Sequence, residues 1–113
     1  MHELSIAMSI VDIAEENAAI AGVKSVSEIQ IEVGNLSGVV DEALEFALEE
    51  AVKNTILKNA KRIVIKTPGK VKCLECNHEF AVDDVFTPCP KCSSFNNEII
   101  SGQELRVKSM LGE

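Results

Sequence analysis

All four cysteines of the 113-residue chain fall in one stretch, Cys73-Leu74-Glu75-Cys76 and Cys89-Pro90-Lys91-Cys92, two C-x-x-C pairs with twelve residues between them. Two thiolates two residues apart can face one cation from a single tight turn. Two such turns brought together make the closed tetrahedral sulfur cage that a structural zinc ion prefers, so the spacing predicts Zn(II) held by Cys73, Cys76, Cys89 and Cys92. Two chemistries compete: a pair of disulfides, and a redox dithiol. The dithiol needs an exposed cysteine of lowered pKa, which Glu75 inside the first pair opposes and Lys91 inside the second mildly favours. His78 could stand in for one cysteine, but four thiolates already complete the shell. It is expected at the surface or beside the cage. Asn77 and Ser93 occupy the positions after each pair where a left-handed backbone is often needed; Asn adopts it readily and Ser less so.

A second group of donors opens the chain, Met1-His2-Glu3. A histidine at position two offers three nitrogens from one short segment: the terminal amine of Met1, its own amide and its imidazole. They close fused chelate rings, and Glu3 can add a donor through its amide or carboxylate. A nitrogen-dominated set suits square-planar Ni(II) or Cu(II) and leaves zinc's tetrahedral preference unmet. The bland alternative is a histidine that merely happens to lie near a terminus.

The charge balance narrows the function classes. Net charge is −7, with a pI near 4.8. Around the cysteines, Lys70, Lys72 and Lys91 face Glu75, Glu79, Asp83, Asp84 and Glu98. Nucleic-acid affinity rests on neutralising phosphates, and this zinc-ribbon-like segment lacks the basic face for it. No apolar run approaches the ~20 residues that span a bilayer. The apolar stretch Leu4 to Ala14 lacks the positive start of a secretory signal, and Asp12, Glu15 and Glu16 fall where it should lead into a cleavage site. A reducing cytoplasm is the expected location, and there C-x-x-C pairs favour metal over disulfides.

These sites need elements to hold them. Leu4 to Ala21 has helical periodicity, with Leu4, Ala7, Met8, Val11, Ala14 and Ala18 on one stripe that Ile10 and Ile13 widen, and the stripe is expected to be core. Gly22 sits where a left-handed stop is wanted. Glu28 to Val33 alternates like a strand with one wet face. Asp41 is a plausible N-cap for a second helix running to about Asn54. Ala43, Phe46, Ala47, Glu50 and Ala51 mark its period, and Glu42, Glu45, Glu49 and Glu50 form a negative face. That face reads as solvated surface, with docking of a basic partner as the alternative. Lys61 to Thr67 is a second strand, ended by Pro68-Gly69, and Gln103 to Met110 a third. A terminal strand on its own could not bury Leu105 and Val107, so it is expected back in the first sheet.

The expected fold is therefore α+β: two helices packed on a small three-stranded mixed sheet, carrying an inserted zinc-ribbon-like domain of two knuckles. The expected division is 1–67 plus 101–113 for the larger domain and 68–100 for the insertion. Too small to fold on burial alone, the insertion would draw much of its stability from metal. Phe80, Phe86 and Phe95 flank the cysteines and are placed to cover the metal centre.

Taken together, the Met1-His2-Glu3-Leu4-Ser5-Ile6-Ala7 start, Glu32-Val33-Gly34 leading into a second helix, the paired knuckles and the closing strand from Gly102 to Met110 resemble the HypA/HybF family. These are nickel metallochaperones of hydrogenase maturation, and the resemblance covers nearly the whole chain. It implies a protein that is not an enzyme. It implies Ni(II) carried as cargo through His2, with the terminal amine of Met1 and Glu3, and structural zinc on the four cysteines. The implied partners are a maturation GTPase and the large-subunit precursor of a [NiFe] hydrogenase; some members also supply urease. The other function class that fits the residues is a zinc-ribbon protein–protein interaction module with no second metal, using the acidic second helix.

Overall fold

A computed structural model describes residues 3–113. The first element, α1 (Glu3–Ala21), buries Ala7, Ile10, Val11, Ala14 and Ala18. Three of those five are alanines, which let a neighbouring helix come close, and α1 packs on α2 (Asp41–Ala51). The expected core stripe holds at Ala7, Ile10, Val11, Ala14 and Ala18 and fails at its larger members, since Leu4 and Met8 are more than half exposed and Ile13 is exposed too. The buried arc is centred on Ala7, Ala14 and Ala18, and at ~100° per residue Ile10 falls inside it while Met8 is rotated out. Gly22 ends the helix at φ +71°. There the amide of Val23 donates to the carbonyl of Ala18 and that of Gly22 to Ala19, which satisfies two carbonyls of the last turn.

The second helix departs from expectation at its start and on one face. Val40, extended at φ −85° and ψ 114°, is the N-cap and offers no side-chain cap; Asp41 is the first helical residue instead. Asp41 and Glu42 still place negative charge on the positive end of the helix. The buried residues are Leu44, Ala47 and Leu48. Phe46, read as part of the periodic stripe, stands out in solvent. Regular helix stops at Ala51, and turns follow in which Val52, Leu57 and Ala60 are buried and Asn54 takes φ 62°.

The first sheet has the order β2-β1-β6, with β1 Val26–Gly34, β2 Lys61–Thr67 and β6 Leu105–Gly112. Its last strand has returned to β1, as Leu105 and Val107 required. Ser25 and Glu113 exchange amide-to-carbonyl bonds and Gly34 donates to Glu104, so β6 runs against β1. Asn35 donates to Thr67, which puts the C-terminal ends of β1 and β2 side by side and makes that pair parallel. In β1, Ile29, Ile31 and Val33 are fully buried as the alternation predicts. Its other face is drier than expected. Glu32 is 9 % exposed, and its Oε1 accepts from the Arg106 Nε at 2.6 Å. A carboxylate can leave water this way only with a charged donor against it.

The second sheet, β4-β3-β5, is antiparallel and carries the cysteine segment. It consists of β3 Gly69–Cys73, β4 Glu79–Val82 and β5 Asn97–Ser101. The sequence reading gave this segment two knuckles and assigned it no strands. By packing, the chain divides into two compact units. One comprises 1–32, 39–65 and 106–113; the other comprises 33–38 and 66–105. No helix among the described residues is long and apolar enough to cross a membrane.

Candidate metal centre

Strand β3 delivers Cys73 into the turn that precedes β4, and the chain then runs through Cys89 and Cys92 before entering β5. The two turns are built alike. In the first, the amide of Asn77 donates to the carbonyl of Cys73 and that of Cys73 to the carbonyl of His78; in the second, Ser93 donates to Cys89 and Cys89 to Ser94. Asn77 and Ser93 both take φ 63°, the left-handed conformation expected of them. That reversal swings the following amides back toward sulfur. The amide of His78 bonds the Cys76 thiol, those of Lys91 and Cys92 bond Cys89, and that of Ser94 bonds Cys92.

The four Sγ atoms lie within 4.8 Å of one another. Cys73 and Cys92 are 3.5 Å apart, and Cys76 and Cys89 3.6 Å. A tetrahedron with Zn–S bonds of about 2.3 Å has edges of about 3.8 Å, so these separations are those of sulfurs around one ion. Disulfide-bonded sulfurs lie at about 2.05 Å, and all four cysteines are free. Cys73 and Cys89 are buried while Cys76 and Cys92 are exposed, so the cage has one dry side and one wet side. The residues present fit a four-coordinate thiolate metal.

Proton affinities within the cluster point the same way. For Cys89, burial raises the pKa, but the amides of Cys92 and Lys91 outweigh it and bring the thiol down to about 7. For Cys92, the amide of Ser94 lowers the pKa, and the Cys73 thiol, burial and the remaining cysteines override that and push it up to about 12. Cys76 is also raised: the His78 amide lowers it, and burial and Cys89 more than compensate. A thiolate is favoured at Cys89, while Cys76 and Cys92 hold their protons. Only a cation in the middle lets all four ionise.

The side chains around the cage differ from expectation. Phe86 and Phe95 are 79 % and 65 % exposed and do not cover it. Phe80 stacks on His78, ring centroids 5.8 Å apart and planes 16° from parallel. His78 contributes its backbone to the first turn, and its ring is not among the four clustered donors.

Of the proposed nickel donors, Met1 and His2 lie outside the described residues. Glu3 begins α1, and its Oε2 accepts a 3.4 Å bond from the amide of Val40 at the start of α2. Sequence reasoning missed this contact. Its only trace was the unsatisfied amide that any helix start without a side-chain cap leaves behind.

Comparison with known proteins agrees with the geometry. The family described as hydrogenase/urease nickel incorporation, metallochaperone, hypA matches residues 1–111. The hydrogenase maturation factor HypA of Parabacteroides distasonis is 45 % identical over 111 residues, covering 98 % of this chain and 96 % of its own length. That of Geobacter metallireducens is 41 % identical over 110 residues, covering 97 % of each chain. Among solved structures, the solution structure of the Ni metallochaperone HypA from Helicobacter pylori shares the fold, with a TM-score of 0.73 over 99 % of this chain and 97 % of that one at 24 % identity. A second HypA solution structure gives a TM-score of 0.72 at 26 % identity, covering 100 % of this chain and 97 % of that one. The chain belongs to the HypA family of nickel-incorporation metallochaperones, maturation factors rather than enzymes.

Proposed function

We propose that this chain carries Ni(II) at its first residues and hands it on for maturation of a [NiFe] hydrogenase large subunit. The ion is bound by the terminal amine of Met1, the amide and imidazole of His2, and Glu3. Zinc sits on Cys73, Cys76, Cys89 and Cys92 and is structural. The work is done in the cytoplasm, beside a maturation GTPase and the large-subunit precursor.

The observation that carries this reading is the closure of the thiol cage. Four sulfurs satisfy one tetrahedral ion and leave no open position, so a metal held there exchanges slowly. A family that incorporates nickel needs a different, shallower site for its cargo. A terminal chelate meets that need, because an incoming ligand can replace its donors one at a time.

Calorimetric titration of Ni(II) into native protein, His2→Ala and a chain extended at its N-terminus by Gly-Ser tests the assignment. Native protein is expected to bind, and both variants to lose at least about tenfold in affinity. Unchanged affinity in both would remove the nickel site from the first residues. Protons compete for the amine and imidazole, so native affinity should fall as pH drops below about 8, where the amine takes up its proton, and more steeply below about 6.5.

A further inference from the structure

Phe46 lies on the solvent face of α2 and is 68 % exposed. At ~100° per residue it stands roughly 150° around the helix from the centre of the arc formed by Leu44, Ala47 and Leu48. Nothing in the core of this unit uses it, and an aromatic ring left in water forgoes the largest burial energy any side chain on that face could supply. Exposed aromatics are enriched where partners dock.

The charges around the ring say which partner. Glu42 lies one turn before Phe46 and Glu49 one turn after, both exposed. The neighbouring acids are already engaged: Glu45 by Arg62 at 2.8 Å and Glu50 by Lys53 at 3.1 Å. Glu42 and Glu49 have no ion pair among the described residues. The face thus presents an apolar centre with an uncompensated carboxylate on either side, seven residues or about 10 Å apart along the axis. A second copy of the chain would set carboxylates against carboxylates, and an anionic lipid surface would be repelled in the same way.

We infer that the exposed face of α2 centred on Phe46 is a docking surface for a basic amphipathic helix of a partner protein. That helix carries Lys or Arg two turns apart and an apolar residue between them that packs on the Phe46 ring. Helix-on-helix recognition of this kind takes its affinity from the central apolar contact and its register from the flanking ion pairs. The surface is independent of the nickel reading, and the experiment contains no nickel.

The test uses the full zinc-loaded chain and a synthetic helical peptide with Lys at positions i and i+7 and Leu between them. A version with Glu in place of Lys and a scrambled peptide of the same composition serve as controls. Binding is read by fluorescence anisotropy, and its location by amide chemical-shift changes. The Lys peptide should bind with shifts centred on α2, and both control peptides at least about tenfold more weakly. Phe46→Ser should weaken the Lys peptide about tenfold and Phe46→Leu much less; Glu42→Gln with Glu49→Gln should weaken it about fivefold. Asp12→Asn with Glu16→Gln removes the same charge from exposed positions of α1 and should change affinity less than about twofold. The inference is overturned if the Lys peptide does not bind native protein or if Phe46→Ser leaves binding intact. It is equally overturned if the α1 pair weakens binding as much as the α2 pair, which would mark unspecific attraction to an acidic protein. A Phe46-dependent dimer in sedimentation would overturn it by making a second copy the occupant.

Discussion

In the helical unit the side chains withdrawn from water are aliphatic: Ile10, Val11, Ile29, Ile31, Leu44, Leu48 and Leu57 are each at most 5 % exposed. In the cysteine unit they are Val33, Val71, Val82 and two of the four cysteines, and two of its three phenylalanines, Phe86 and Phe95, face solvent. Close backbone packing takes the place of bulk there. A Cβ on Gly34 would fall 1.9 Å from the carbonyl oxygen of Gly102, and one on Gly69 would fall 2.6 Å from that of Val82. One unit is held together by burial, while the other has little to bury and relies on strand pairing, glycine contacts and a metal. A small unit with so little apolar interior is the kind that folds with its ion and not without it.

The sharpest way to break that comparison is to take the metal away. Apparent binding free energies of structural zinc, about 10–16 kcal/mol, exceed any stability a unit this small can hold in reserve. Chelation, or Cys73→Ser, is expected to abolish amide-exchange protection in β3, β4 and β5 while α1 and α2 stay protected. Uniform loss across both units would mean that the two do not differ in this respect. Acid acts in the same direction. Cys76 and Cys92 hold their protons above the ordinary thiol range in the metal-free cluster, so zinc must displace at least those two at neutral pH. Affinity therefore falls as pH falls, and the enthalpy of zinc binding should vary with the ionisation enthalpy of the buffer. A buffer-independent enthalpy would contradict the protonation pattern.

The reciprocal experiment cuts into the aliphatic core. Leu48 is fully buried, and Leu48→Ala should cost about 2–5 kcal/mol. Urea unfolding followed by helical circular dichroism should show it, with zinc content still at one equivalent. Zinc lost along with helix stability would make the aliphatic unit a requirement of the metal site.

Next in size is the glycine contact. Gly34→Ala forces a methyl group against a backbone oxygen that no rotamer change can move, so about 1–3 kcal/mol of overpacking cost is expected. It should appear as faster exchange in the cysteine unit with metal still bound. Gly22→Ala is the control: nothing lies within 4 Å of its Cβ, and only the strain of φ +71° is added.

How much of this was legible in the sequence follows from the same contrast. The knuckles were, because coordination fixes residue type and spacing together; Cys73, Cys76, Cys89 and Cys92 announce their cage and Asn77 and Ser93 their backbone. The long elements were legible too, since nineteen residues of α1 give the period time to repeat. The short strands β3, β4 and β5 were not: four or five residues carry almost no periodicity, and their pairing is set by the turns. The faces of the helices were read less well than their existence. Met8 and Phe46 are apolar residues at plausible spacings, and only the position of the neighbouring helix and sheet decides which arc is covered. Glu32 was misread for the converse reason, as its charge says surface while the partner that lets it leave water, Arg106, lies seventy-four residues away.

The smallest effect separates the two knuckles from each other. Both need a left-handed residue, and both have φ 63°. Asn77 meets the requirement with a side chain that tolerates it, whereas Ser93 pays about 1 kcal/mol for its Cβ. Ser93→Gly should therefore stabilise the metal-bound unit by up to that amount, and Asn77→Gly by little or nothing. Competition with a chelator of known zinc affinity resolves the difference, as 1 kcal/mol is about a fivefold change in the equilibrium. Equal gains at both positions would show that a cost at the left-handed turn is common to both knuckles. A loss at Ser93 would show that its side chain makes a contribution to the second knuckle that outweighs the strain of holding it there.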